Sequence, residues 1–357
     1  MDFNRTLQHL LSLAPLSESQ TVAAFEHILS GQADDAGIAA FLSLIAARPS
    51  GPSVDEVVGA ARVFRRHAQP VHRPTEGPFR NASLLDTCGT GGAAKLFNVS
   101  TAAALVVPSA SNGRVMVAKH GNTSRSGRGS VEVLRGLGVN VEADAPTQTR
   151  CLGQSGVCFS MAPRHHPAAR HASAARRSLG FSTLFNLVGP LANPAGAEHQ
   201  IIGTWSHANA RLLTEALARL NAEDATAPWR AWTYSSRDGL DELTTTELTI
   251  VNAVGHDQPI STFEIDARSL GLSPASIPDI QCRTLDEAVN AVRDVLLGHK
   301  GPHRDMVLLS VAAALTVCGC TGDLREGLAS AAAAIDGGHA LRTLESLVRL
   351  SNSPAAA

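Results

Sequence analysis

Val115-Met116-Val117-Ala118-Lys119-His120-Gly121-Asn122, continuing as Thr123-Ser124-Arg125-Ser126-Gly127-Arg128-Gly129-Ser130, decides how this chain reads. The apolar run is a short buried strand. It delivers a cation, an imidazole, an amide, hydroxyls and glycines into a loop that precedes a helix. Such loops hold phosphate-bearing ligands, because free N–H groups and the positive end of a helix dipole attract anions. The same logic recurs upstream, where Ala82-Ser83-Leu84-Leu85 leads into Asp86-Thr87-Cys88-Gly89-Thr90-Gly91-Gly92 and Asn98-Val99-Ser100-Thr101 opens another helix. Two anion-ready loops in one domain point to a ligand with two phosphate-bearing ends.

The 357 residues can bury a full core and divide into two domains. A formal net charge of -2 gives no global field for nucleic acid or anionic lipid, so an anion site must be built locally. The cysteines, Cys88, Cys151, Cys158, Cys282, Cys318 and Cys320, lack the paired spacing of a zinc site and read as free thiols. No segment is apolar for long enough to span a bilayer, and the chain reads as a reduced, cytoplasmic protein.

Apolar residues recur at helical steps through the first seventy or so positions: Phe3, Leu7, Leu10; Val22, Phe25, Ile28; Ile38, Phe41, Ile45. Ser53 is placed to cap a fourth helix. The proline-bearing linker from Gln69 to Pro78 then marks a boundary. Beyond it, strands at Leu84-Leu85, 115–118, 157–159, 201–204 and 231–234 alternate with helices at 100–107, 131–137, 207–220, 285–297 and 305–317. This is the pattern of a mostly parallel sheet flanked by helices. Residues 166–179, rich in alanine and arginine, read as helical, and Phe185 to Pro194 ends in a proline-punctuated turn.

Several residues can carry chemistry. Gly89 to Gly92 fits a tight turn as well as a phosphate cradle, and the polar Asn98, Ser100 and Thr101 at the following helix start favour the cradle. Lys119 at the mouth of a buried strand is costly unless an anion meets it. Asp241-Glu242 is an ordinary solvated turn or a pair of hard ligands for Mg²⁺, and Gly239 before it makes the second geometry available. Arg176 sits beside Arg177, which reads as an exposed cation. His165-His166, without an acidic or thiol companion, is poor evidence for a metal and has at most a lining role.

Gly89-Thr90-Gly91-Gly92, Phe97 to Thr101, Lys119 to Asn122, Ala162-Pro163 with His166, Arg176, Phe185 to Pro194 and Gly239 to Glu242 occur in one order, and to about Leu350 the chain resembles the anthranilate phosphoribosyltransferase family. The resemblance implies a small all-helical domain, residues 1–72 with helices from 165–195, joined to a larger α/β domain, 73–164 and 196–357. It implies phosphoribosyl pyrophosphate as donor, anthranilate as acceptor, two Mg²⁺ per subunit and a homodimer through the helical domain. On this pattern Gly89, Gly92, Ala93, Asn98, Val99, Ser100 and Thr101 hold the donor together with Lys119, His120, Gly121, Asn122, Thr123, Ser124, Ser126, Gly127 and Ser130. Gly89, Asn122 and Arg176 meet anthranilate, Arg176 through its carboxylate. Ser100, Asp241 and Glu242 hold Mg²⁺, and Lys119 with the metal stabilises the transition state without an acid–base residue. Other readings are transfer to a related aromatic amine, a pyrimidine nucleoside phosphorylase-like reaction, or a non-catalytic ligand-binding relative. Arg176 and the acid pair favour the first-named family over the phosphorylase, the acid pair and the slightly acidic balance argue against a non-catalytic relative, and the altered donor loops keep a related amine open.

The chain departs from the family pattern on both donor loops. Family members usually follow the two glycines with Asp-Gly, whereas this chain has Ala93-Ala94 and is one residue shorter before Phe97; Leu96 stands where a threonine is common. The loop after Asn122 is also one residue short, its usual Lys-Ser-Gly reading Arg128-Gly129. Lys95, absent from the usual pattern, can restore part of the lost neutralisation of phosphate. Lys95→Ala is therefore expected to raise the donor KM in steady-state kinetics, and an unchanged KM removes Lys95 from donor binding.

Overall fold

The computed structural model describes residues 3–94, 96–124, 127–222, 229–256 and 258–353. Four helices come first: α1 (Phe3–Leu11), α2 (Glu18–Leu29), α3 (Asp35–Ala46) and α4 (Val54–Arg66). Reciprocal capping boxes start two of them, Ser17 with Gln20 on α2 and Ser53 with Glu56 on α4. The chain continues through β1 (Ser83–Asp86), α5 (Val99–Ala110), β2 (Val115–Gly121), α6 (Ser130–Gly136), α7 (Ala145–Ser155), β3 (Val157–Met161), α8 (Ala162–His165), α9 (Ser173–Leu179) and α10 (Leu184–Val188). It then forms β4 (His199–Gly203), α11 (His207–Asn221), β5 (Arg230–Ser236), β6 (Thr249–Gly255) and β7 (Gln258–Ile265). Helices α12 (Ile277–Ile280), α13 (Leu285–Leu296), α14 (Pro302–Val317), α15 (Leu324–Asp336) and α16 (His339–Ser351) close it.

The strands form one seven-stranded sheet in the order β3-β2-β1-β4-β5-β6-β7. Strands β3 to β5 are parallel, and β6 and β7 add antiparallel at one edge. The chain winds outward from β1 through β2 to β3, then returns to pair β4 with the other side of β1. Between β1 and β4 the winding reverses, and it is in the crevice at the carboxyl ends of strands flanking such a reversal that doubly wound sheets bind ligands. The interior strands β1 and β2 are buried along nearly their whole length; α5 packs on β2, and α14 packs on α5 and on β4 and β5.

A second hydrophobic cluster joins the N-terminal helices. Phe25, Phe41 and Phe64 pack there with Ala172, Ala175, Leu184 and Phe185 from the 165–195 segment. The cluster runs onto the sheet through Leu213 and Leu217 of α11, Ile202 of β4 and Val254 of β6. Helix α11 is thus the layer between the N-terminal helices and the β4–β6 half of the sheet. Beneath the cluster lies a buried charge. Glu56, 0% exposed, pairs with Arg48 and accepts the N–H groups of Leu16 (3.0 Å) and Ser53 (2.8 Å).

The sequence-based expectations meet this fold with definite corrections. The helical segment 166–179 is a 3₁₀ turn (Pro167–Ala172) followed by α9, with Pro167 at the first helical position, where its missing N–H costs nothing. Phe185 to Pro194 begins as most of α10 and ends in a 3₁₀ turn at Gly189–Ala192, which contains Pro190. The β6–β7 hairpin was not expected, because β7 is exposed along most of its length and carries little apolar signal. Lys119, His120 and Gly121 lie inside β2 rather than in the loop, paired with Phe159, Ser160 and Met161 of β3.

Glu56→Ala strands Arg48 as an uncompensated buried cation, which costs about 3–5 kcal/mol. Urea unfolding should show that loss, and a change below about 1 kcal/mol would mean the pair does not brace the helices.

Candidate active site

Lys119 is only 4% exposed, yet its ammonium is not buried among hydrocarbon. Nζ donates to Ser100 Oγ at 3.1 Å and to the Thr87 carbonyl at 3.4 Å, and Thr87 Oγ1 donates to the Ser100 carbonyl at 3.1 Å. The carboxyl ends of β1 and β2 and the first turn of α5 are thereby knotted around one positive charge. Asn98 flanks α5 without capping it; its amide donates to the Arg128 carbonyl at 3.3 Å and so joins the first anion loop to the second. Thr101 Oγ1 is buried and makes no hydrogen bond among the described residues.

The second loop is tight. A side chain on Gly121 would meet Ser130 Oγ at 2.2 Å, and one on Gly129 would meet the Asn122 carbonyl at 2.7 Å. Asn122 Oδ1 accepts the Thr123 N–H at 2.8 Å, Gly127 N donates to the Ser124 carbonyl at 3.0 Å, and Ser124 Oγ accepts Arg128 N at 3.0 Å. Asn122 and Thr123 are exposed at its rim. Ser126, with Arg125 and Lys95, lies outside the described residues.

Gly89 to Gly92 leaves β1 and crosses the end of β4. Thr90 N and Oγ1 both donate to the Gly203 carbonyl, at 3.0 and 3.2 Å. Gly92, at φ +102°, lies against Trp205 and Ser182, and a Cβ there would come within 3.0 Å of the indole. Ala93 and Val99 complete this run, the first half-buried and the second fully covered. From the other side Asp241-Glu242 arrives on the loop between β5 and β6, after a turn at Gly239 with φ +82°. The Asp241 backbone touches Gly203 so closely that a Cβ on that glycine would stand 1.8 Å from the Asp241 carbonyl oxygen. Both acids are half-buried, and with burial itself they push the enclosed Tyr234 hydroxyl to a higher pKa.

Among the described residues no group of three or more His, Cys, Asp or Glu can hold a metal by itself. The acid pair and the Ser100 hydroxyl are hard oxygen donors, which suit Mg²⁺ when phosphate oxygens and water complete its shell.

Histidines link this crevice to the helices. His120 Nδ1 lies 3.2 Å from the Gly189 carbonyl, its ring 5.1 Å from that of His166, which in turn packs on Phe64 at 5.6 Å. His165 is engaged by Gln148 Nε2 (2.9 Å) and the Gln69 carbonyl (2.8 Å). Arg176 stands on the Phe185 ring, 4.6 Å from its centroid, and the loop after its helix carries Ser182 to Gly92. Arg177 is exposed. Sequence reasoning passed over Asp86, fully buried at the end of β1, although an acid closing an apolar strand is itself a signal. It also passed over Trp205, which only the fold brings to Gly92.

Residues 4–68 match the family model described as glycosyl transferase family, helical bundle domain, and residues 81–341 match its a/b domain. An anthranilate phosphoribosyltransferase of Methylobacterium nodulans is 40% identical over 353 residues, covering 98% of this chain and 99% of the relative. The chain belongs to the anthranilate phosphoribosyltransferase family. Among solved members, the enzyme of Thermus thermophilus superposes with a TM-score of 0.86 at 31% identity, covering 99% of this chain and 100% of that one. The Saccharomyces cerevisiae enzyme in complex with PRPP and Mg superposes with a TM-score of 0.86 at 25% identity, covering 99% and 98%. The helical domain, the mostly parallel sheet and the flanking helices are those of this family. No helix among the described residues is long and apolar enough to cross a membrane.

Burial lowers the pKa of His120 to about 3 and of His166 to about 4, from an ordinary 6.5, so both rings are neutral near pH 7. Because the folded values lie below the unfolded one, their contribution to stability is complete above about pH 6.5 and is lost as the pH falls toward 4. Denaturant unfolding followed from pH 7 to 5 should show that decline, and His166→Asn should flatten it. Equal slopes in the two proteins would contradict the assignment.

Proposed function

We propose that this chain transfers the phosphoribosyl group of phosphoribosyl pyrophosphate to the amine of anthranilate and releases pyrophosphate, a step of tryptophan biosynthesis. The observation that carries the reading is the meeting at Gly203 of the glycine loop and the acid-pair loop, beside the Lys119–Ser100 contact. Cation, free N–H groups and hard carboxylates thus border one crevice at the reversal of the sheet.

The aromatic amine of anthranilate is neutral at cellular pH and carries its own lone pair, so attack at C1 needs no strong base. The difficulty is the departure of a highly charged diphosphate while positive charge gathers on the ribose. Lys119 and the N–H groups of Gly89, Gly92 and Ala93 act where that negative charge develops, and they act without reorganising. Asn98, Val99, Ser100 and Thr101 open a helix whose N-terminus favours the same anion. His120, Gly121, Asn122, Thr123, Ser124, Ser126, Gly127 and Ser130 wrap the rest of the donor. Gly89 and Asn122 border the acceptor, and Arg176 grips its carboxylate and orients the amine. Ser100, Asp241 and Glu242 would hold two Mg²⁺ per subunit, which would supply neutralisation of the diphosphate.

The donor sits between a helical domain, 1–72 with 165–195, and an α/β domain, 73–164 with 196–357. The subunit is a cytoplasmic homodimer joined through the helical domain, a reading that fits the exposed Leu11 and Leu13 at the end of α1 and the free cysteines.

Mixing the protein with phosphoribosyl pyrophosphate, Mg²⁺ and anthranilate should extinguish anthranilate fluorescence. Silence there, with turnover of another arylamine, transfers the reading to that acceptor. Asp241→Asn and Glu242→Gln should each lower turnover by about two orders of magnitude while thermal unfolding stays near the wild-type midpoint. Wild-type-like turnover across a Mg²⁺ titration would remove the pair from the mechanism.

A further inference from the structure

Asp86 is the one carboxylate at the carboxyl end of β1, the strand next to which the sheet reverses, and the mechanism above does not use it. It is fully buried, with 0% exposure. Its Oδ1 accepts two backbone N–H groups from different strand ends: Cys88, which starts the glycine loop, at 3.0 Å, and His120, on β2 beside Lys119, at 3.3 Å. Lys119 and the Asn193 amide favour its charged form, and Asn193 also donates to the Ala118 carbonyl of β2 at 2.8 Å. Facing it from the remaining neighbours are the thiols of Cys88 and Cys158, both kept neutral because burial raises their pKa. The carboxylate therefore spans the two elements that carry the anion loops.

We propose that Asp86 is a positioning residue for donor binding: one carboxylate oxygen, by accepting the N–H groups of Cys88 and His120, holds the glycine loop and the Lys119 strand in a single register. Parallel strands β1 and β2 pair in register from Ser83–Val115 to Leu85–Val117. Beyond Leu85–Val117 the two strands no longer pair, and the Asp86 carboxylate bridges them in place of the ladder. A shift of either loop by a fraction of an ångström separates the N–H groups of one from the ammonium of the other, and both must meet the same diphosphate. Burial pushes the Asp86 carboxyl up to about 6, so a charge is kept here against its own desolvation, as positions retained for function often are.

This inference rests on the proposed donor and is tested on the full chain with Asp86→Ala and Asp86→Asn. Initial rates are measured against each substrate, with calorimetric titration of Mg²⁺ and phosphoribosyl pyrophosphate and thermal unfolding alongside. Removal of a charged acceptor from two N–H groups should raise the donor KM of Asp86→Ala about tenfold or more. The anthranilate KM should stay within about twofold. Asparagine keeps one acceptor oxygen, so Asp86→Asn should recover part of the donor affinity. A donor KM within about twofold of wild type in Asp86→Ala overturns the inference, as does an equal loss for both substrates. A wild-type protein that binds no phosphoribosyl pyrophosphate overturns the proposed function and this inference with it, whereas equal binding by wild type and both variants overturns the inference alone.

Discussion

Gly203 has no room for a side chain, and the arrangement of the crevice follows from that exclusion. Its carbonyl receives both donors of Thr90, and its α-carbon is pressed against the backbone of Asp241. A methyl group there would drive the acid-pair loop outward and unseat the glycine loop together. The reversal of strand order lies between β1 and β4, and the bare backbone at the end of β4 lets the glycine loop and the acid-pair loop both approach Gly203.

Charge is distributed around that point with economy. The chain as a whole is nearly neutral, so an anion must be drawn by local groups. Lys119 is buried, but it is satisfied by the Ser100 hydroxyl and the Thr87 carbonyl and stays oriented toward the helix start. His120 and His166 add no competing charge near pH 7, since burial depresses both. They act as shape, carrying contact from β2 through Gly189 to Phe64 and the N-terminal helices. The helical domain thus shares its aromatic core with the wall that presents Arg176.

What could be read from the residues alone follows the strength of the local signal. The strand into Lys119 was legible because four buried apolar residues precede it, but its length was not, since a lysine and a histidine inside a strand become tolerable only when partners from β1 and α5 arrive. Asp241 and Glu242 were legible as a pair, yet their meeting with the glycine loop depends on Gly203, nearly forty positions upstream and silent in any local pattern. Strand β7 escaped notice because an exposed edge strand needs no apolar face. The family resemblance supplied proposed roles for residues whose chemistry alone left alternatives open, Arg176 above all.

The central claim is that one bound donor spans the glycine loop, Lys119 and the acid pair at the β1–β4 reversal. A crystal structure of the protein with phosphoribosyl pyrophosphate and Mg²⁺ tests it most directly. The account predicts diphosphate oxygens within hydrogen-bond reach of the Gly89–Ala93 amides and Lys119 Nζ, with metal density against Asp241 or Glu242. Donor density seated elsewhere, with this crevice filled only by solvent, would contradict it.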